Sequence, residues 1–352
     1  MKKKIITFTA LALMLSNQSE ARDQIKIVGS STVYPFATVV AERFGKTSGF
    51  KTPVIESTGS GGGLKLFCKG LGTQHPDITN ASRRIKMKEV KNCEKNGVKD
   101  ITEIKIGYDG IAIANAKSGP TFDLTLRDLY LALAKEIPAD AEGDEVKANP
   151  FKMWNEINPK LPAKPIVVIG PPPTSGTRDA FNELAIEKGC KTFPGRNALK
   201  KKDKQLYKSQ CRAIREDGLY VEAGENDNLI IEKLVANPDA LGVFGYSFLD
   251  QNKDKVKASK VDNVFPEFEA ISSGEYPVSR SLFFYVKNAH ASVIPGVKQY
   301  VREFTSSKSI GNEGYLISKG LIPLPKSERA KFEKDGKTLA KFDENLLKKQ
   351  TQ

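Results

Sequence analysis

Histidine is nearly absent from this 352-residue chain, which has only His75 and His290. Cysteine is scarce as well: Cys68, Cys93, Cys190 and Cys211 include no Cys-x-x-Cys pair. Structural zinc takes closely spaced Cys and His, so no zinc site is legible, and the two isolated histidines read as surface residues. Hydrolysis of a phosphate ester needs a metal cluster or an activated nucleophile, and the sequence displays neither a two-metal carboxylate pattern nor a base to serve one. No glycine-rich turn ends in the Gly-Lys-Ser/Thr of a nucleotide P-loop, and none has the Gly-x-Gly-x-x-Gly dinucleotide fingerprint. No segment past the N-terminus carries the roughly 20 apolar residues of a bilayer span, so no stable membrane insertion is expected. These absences predict a protein that is not an enzyme and needs no cofactor or metal.

What is present begins with an export pattern. Lys2, Lys3 and Lys4 precede an uncharged apolar run from Ile5 to Leu15, and Ser19 and Ala21 stand at small-x-small spacing. This predicts a secretory signal over residues 1–21, cut before Arg22. The remaining length exceeds what one core usually holds, which predicts two domains. Net charge is +13, and +11 once residues 1–21 take away three Lys and one Glu. Such a balance suits nucleic acid, an acidic surface or a small anion. The excess, however, lies in surface stretches such as Lys200–Lys204 and the tail after Lys326, without the aromatic-basic signature of single-strand binding. No nucleic-acid partner is expected. An even number of cysteines suits an oxidising compartment. Four cysteines allow three pairings; the economical one joins Cys68–Cys93 and Cys190–Cys211, each bridge adding roughly 3 kcal/mol.

Strand and helix patterns alternate along the chain. Ile25–Gly29, Pro53–Glu56, Asp77–Ala81, Ile104–Ile113, Pro165–Ile169, Leu241–Tyr246 and Ser281–Val286 read as strands. Val33, Phe36, Ala37, Val40 and Phe44 recur at helical spacing with a stop at Gly49, and Thr125 caps a helix running to Ala134. The glycine-rich stretch Gly59–Gly63 reads as a loop leading into a helix from Leu64. This alternation predicts an α/β fold with parallel-type sheets.

Three strand-to-helix turns share one chemistry: Gly29-Ser-Ser-Thr-Val33, Thr58-Gly-Ser-Gly-Gly-Gly63 and Pro173-Thr-Ser-Gly-Thr-Arg178. Glycine lets the backbone approach a ligand, and the N–H groups at a helix start lack partners within the helix. With Ser and Thr hydroxyls and the helix dipole, such turns bind anions without lysine.

Taken with Asp77-Ile-Thr-Asn-Ala-Ser-Arg83, Gly242-Val-Phe-Gly-Tyr246 and Tyr276-Pro-Val-Ser-Arg280, the chain from Ile25 to about Pro325 resembles the phosphate-binding proteins of high-affinity phosphate ABC transporters, a group of periplasmic solute-binding proteins. The resemblance implies a two-lobed periplasmic-binding-protein fold of type II with two crossing hinge segments. Lobe one would be residues 22–112 with 280–352, lobe two 113–279, and the crossings would lie near Ile111–Asn115 and Pro277–Leu282. It implies a periplasmic monomer that closes on inorganic phosphate and delivers it to an inner-membrane permease. Carried over by position, Thr32 would offer its hydroxyl, with Ser31 in the same turn, and Val33 its N–H. Ser60 would offer a hydroxyl, beside Gly61, and Ser175, Gly176 and Thr177 would donate from the other lobe. Two positions depart from the common pattern. Arg83 stands where many members hold a proton-accepting Asp, and Pro171 where many hold an Arg. Arg83 and Arg178 are expected to place one guanidinium fork on each lobe. Asp109 becomes a candidate proton acceptor. A site of this kind equally suits sulfate, molybdate or a phosphonate, because fold is not function. The charged segment after Lys326 is expected to pack as a solvated helix on lobe one.

Overall fold

The computed structural model describes residues 22–348 apart from 225, so the expected signal segment lies outside the described residues. Nine strands form one sheet: β1 Lys26–Gly29, β2 Val54–Ser57, β3 Ile78–Ala81, β4 Ile101–Ala116, β5 Val168–Gly170, β6 Tyr220–Glu222, β7 Leu241–Gly245, β8 Val256–Ala258 and β9 Ser279–Lys287. Their order is β2-β1-β3-β9-β4-β7-β5-β6, with β8 also paired to β4. β1, β2 and β3 are parallel, as are β7, β5 and β6, whereas β9 and β4 run antiparallel to their neighbours. This is the α/β class that the alternating pattern predicts.

β4 joins the two halves of the sheet. Its residues 101–110 pair with β9, and residues 111–116 pair with β7 and β8. The chain returns beside it: Ile111 N–H donates to Val278 O at 2.9 Å, and Tyr276 Oη donates to Ile111 O at 2.9 Å. β4 is buried on both faces nearly throughout, its polar residues Thr102, Glu103, Lys105 and Asn115 included.

Helix α1, Tyr34–Thr47, buries Phe36, Ala37, Val40, Ala41 and Phe44 along one stripe, with Pro35 in its first turn. Helix α2 corrects the sequence reading: it spans Gly59–Phe67 and so absorbs the glycines expected to form a loop. Packing outweighs the poor helix propensity of glycine here. A Cβ at Gly63 would stand 2.5 Å from Gly29 Cα and 2.7 Å from Thr79 Oγ1, so only glycine lets α2 lie against the end of β1. The cysteines pair Cys68 with Cys93 and Cys190 with Cys211. The first bridge sits in a small core with Leu64, Phe67, Val90 and Phe283. Phe342 reaches that core from the C-terminal segment and meets Tyr285 edge-on at 6.3 Å, while the helix Lys326–Thr338 buries Phe332. His290 is the other correction. It is buried, with Nδ1 2.7 Å from the buried Asp77 and Nε2 accepting from Gly72 N–H at 3.2 Å, which makes it a packing residue.

Candidate anion site

β1, β2 and β3 end side by side at Gly29, Ser57 and Ala81, and all three site segments of this half leave from those carboxyl ends, where open α/β sheets bind ligands. Thr58 N–H donates to Gly29 O at 2.8 Å, which holds the first two turns together. Ser82, just past β3, donates its N–H to Ser60 Oγ at 3.0 Å, and the two hydroxyls are also 3.0 Å apart. Ser82 can therefore donate into Ser60, leaving the Ser60 proton to point outward. A cleft of about 980 Å³ opens here, and Ser31, Thr32, Ser60, Gly61 and Arg83 line it. A larger and more apolar cavity, about 1110 Å³, lies between Tyr246–Glu269 and Asn312–Lys326 and contains none of the three turns.

The third turn comes from the other half of the sheet. Ser175 caps the helix Gly176–Phe181, its Oγ accepting from Thr177 N–H at 3.2 Å. A Cβ at Gly176 would lie 3.4 Å from Ser31 O and 3.6 Å from Thr32 Cα, so the turns of the two halves meet. Ser175, Gly176 and Thr177 thus abut the cleft without lining it. Val33 is buried behind Thr32, its N–H 3.4 Å from Ser30 Oγ.

At this meeting point stands a residue that the sequence reading quoted within the Tyr276–Arg280 motif but gave no ligand role. Arg280, the second residue of β9, is largely buried and donates through Nη2 to Thr32 Oγ1. Its Nη1 reaches Glu183 Oε2 at 2.9 Å, across from the other half, and its Nε lies 3.4 Å from Asp109 Oδ2. Because Thr32 Oγ1 accepts from Arg280, its own proton is left to donate. Burial lifts the Asp109 carboxyl above its ordinary value, against the pull of Arg280. The geometry places Asp109 beside Arg280.

Residues 16–308 match the PBP superfamily domain. The chain belongs to the PBP superfamily. Within this family of solute-binding proteins, Protein SphX of Synechococcus elongatus is 31% identical over 331 residues, 91% of this chain and 84% of that one. Phosphate-binding protein PstS of Staphylococcus saprophyticus is 28% identical over 318 residues, 89% of this chain and 84% of its own length. The crystal structure of a possible phosphate binding protein from Planctomyces limnophilus superposes with a TM-score of 0.69 at 27% identity, covering 90% of this chain and 99% of that one.

The two expected guanidinium forks, Arg83 and Arg178, meet a different geometry. Arg178 is buried and turned away from the cleft: Nη1 donates to Pro171 O at 2.9 Å, and the guanidinium lies 4.2 Å from the Tyr220 ring centroid. The carbonyl of Pro171, seven residues earlier, captures it. Arg83 does line the cleft, but its fork is closed on Glu89, with Nη1–Oε2 at 2.9 Å and Nη2–Oε1 at 2.7 Å. The guanidinium that stands where the two turns meet belongs to neither; it is Arg280, held by Thr32, Glu183 and Asp109.

Glu187 anchors the outer wall. Lys200 Nζ lies 2.7 Å from its Oε1 and Arg212 Nε 2.6 Å from its Oε2. Burial opposes ionisation, but the Lys200 hydrogen bond and the Arg212 charge outweigh it and hold the carboxyl at about 2, below its ordinary 4.5. A depressed carboxylate stabilises the fold above its unfolded value and loses that contribution as pH falls through its folded value. Glu187→Gln should therefore be less stable than wild type at pH 7, with the gap narrowing between about pH 4.5 and 2. Urea unfolding at stepped pH reads this directly; a gap that stays constant would deny the carboxylate its role.

Proposed function

We propose that this protein is a periplasmic binding protein that captures inorganic phosphate in the cleft between its two halves and hands it to an inner-membrane ABC permease. The observation that carries the reading is the contact of the Ser175–Thr177 turn with Ser31 and Thr32, beside the Arg280 fork. Donors from both halves can serve one anion together only when the halves are closed. Residues 22–112 with 280–352 then form lobe one and residues 113–279 lobe two, hinged where β4 passes Ile111 and the return segment passes Val278. Thr32, Ser60 and Thr177 donate hydroxyl protons, Val33 and Gly176 donate N–H groups, and Arg280 supplies charge. The mature chain acts as a monomer after removal of its signal segment, and it binds without turnover, so phosphate esters are left intact with or without divalent metals.

Calorimetric titration of the mature protein with phosphate, sulfate and molybdate tests the reading. Hydrogen bonds to a charged group contribute roughly 1.5–3 kcal/mol each, less the costs of closure and desolvation, which supports one phosphate site of micromolar affinity or tighter. Indifference to millimolar phosphate would refute it, and tighter binding of sulfate or molybdate would change the ligand.

A further inference from the structure

The cleft is larger and more cationic than one phosphate ion requires. Ten of its lining side chains are Lys or Arg and four are Asp or Glu. Three of the acids are matched: Glu89 by Arg83, Glu183 by Arg280, and Glu187 by Lys200 and Arg212. Lys86, Lys88, Lys188, Lys191, Lys204 and Lys208 then face a single further acid, Asp179. Of these six, Lys188 donates to Pro277 O at 2.6 Å and Lys191 lies 3.6 Å from Glu187. Lys86 and Lys88 stand at the start of the helix Met87–Lys95, in the first half of the molecule. Lys204 and Lys208 stand one turn apart on the helix Lys204–Arg212, in the second, and so share a face. That helix is tied down by Cys190–Cys211 and by the buried Tyr207. Burial and then neighbouring cations push Lys86, Lys188 and Lys191 below their ordinary values.

We propose that this lysine rim holds the outer phosphates of a condensed inorganic phosphate whose terminal phosphoryl group occupies the Thr32–Arg280 pocket. The proposal rests on the phosphate reading of that pocket. A terminal phosphoryl group turns three oxygens inward and its bridging oxygen toward the mouth, where the following phosphates meet the lysines. Lysine is a flexible point charge and suits a chain whose oxygens demand no fixed geometry. Among the described residues Tyr207 is the one aromatic side chain lining the cleft, and it is fully buried, so they offer no ring for stacking a nucleobase. An uncapped polyphosphate therefore fits better than a nucleoside triphosphate.

Calorimetry with phosphate, tripolyphosphate and ATP tests this on the mature protein and on the quadruple variant Lys86→Gln, Lys88→Gln, Lys204→Gln, Lys208→Gln, whose four sites are exposed. Tripolyphosphate should displace phosphate from the wild type. The variant should lose at least tenfold in tripolyphosphate affinity while its phosphate affinity stays within threefold. Failure of tripolyphosphate to compete, or an equal loss for both ligands, overturns the proposal. ATP binding as tightly as tripolyphosphate would overturn the choice of an uncapped ligand. Wild-type protein that ignores phosphate too would instead sink the parent reading.

Discussion

Arg280→Ala should lower phosphate affinity by about 3 kcal/mol, roughly a hundredfold. The effect has three sources in one side chain. Arg280 orients the Thr32 hydroxyl by donating to its oxygen, so its loss frees that group to turn its proton elsewhere. It also separates an incoming anion from Asp109 and Glu183, two carboxylates that would then face the ligand unscreened. Finally, it ties the first half of the molecule to Glu183 in the second, favouring the closed arrangement. Arg280→Lys keeps the charge but not the fork and should recover only part of the loss. Titration of the two variants beside wild type reads the ordering, and circular dichroism melts show whether Arg280→Ala remains folded. If folded Arg280→Ala binds phosphate as wild type does, the centre of the site lies elsewhere.

Gly29→Ala should cost the fold about 3 kcal/mol or more. Gly29 has φ +136°, a backbone state that L side chains rarely adopt, and a Cβ there would fall 2.1 Å from Asn80 O and 2.7 Å from Asn80 N. Those atoms belong to β3, held between β1 and β9, so they cannot yield cheaply. Steric overpacking adds roughly 1–3 kcal/mol to a backbone penalty of similar size. Gly49→Ala is the matched control. Gly49 has φ +77° with open space where the Cβ would stand, so only the backbone penalty remains. Urea unfolding of the two variants separates the contributions; equal destabilisation would mean that close packing at Gly29 is not what requires glycine.

The features legible in the sequence were those written locally. The three Ser/Thr/Gly turns announce anion chemistry because their donors come from adjacent residues and from the helix start itself. Thr125 was readable as a cap for the same reason, and in the structure its hydroxyl accepts Asp128 N–H within a capping box. What the sequence concealed depends on partners distant in the chain. Arg280 meets Thr32 across 248 positions, and no spacing rule links them. His290 looked isolated because Asp77, its buried partner, is 213 residues away. The Gly59–Gly63 stretch misled differently: propensity favours a loop, but at Gly63 the close approach of Gly29 and Thr79 requires glycine for the helix to lie there. Arg178 was placed in the ligand pocket by its neighbours Ser175–Thr177, whereas a backbone carbonyl seven residues earlier holds it.

The two chain segments that join the halves are bonded to one another at Ile111 and Val278 rather than running separately. In the hinge proposed above, these paired segments would resist independent twisting and leave the halves one soft rotational coordinate. Empty and loaded protein would then differ along a single axis. A membrane partner could sense occupancy from the spacing of one surface point on each half, without contacting the bound ion.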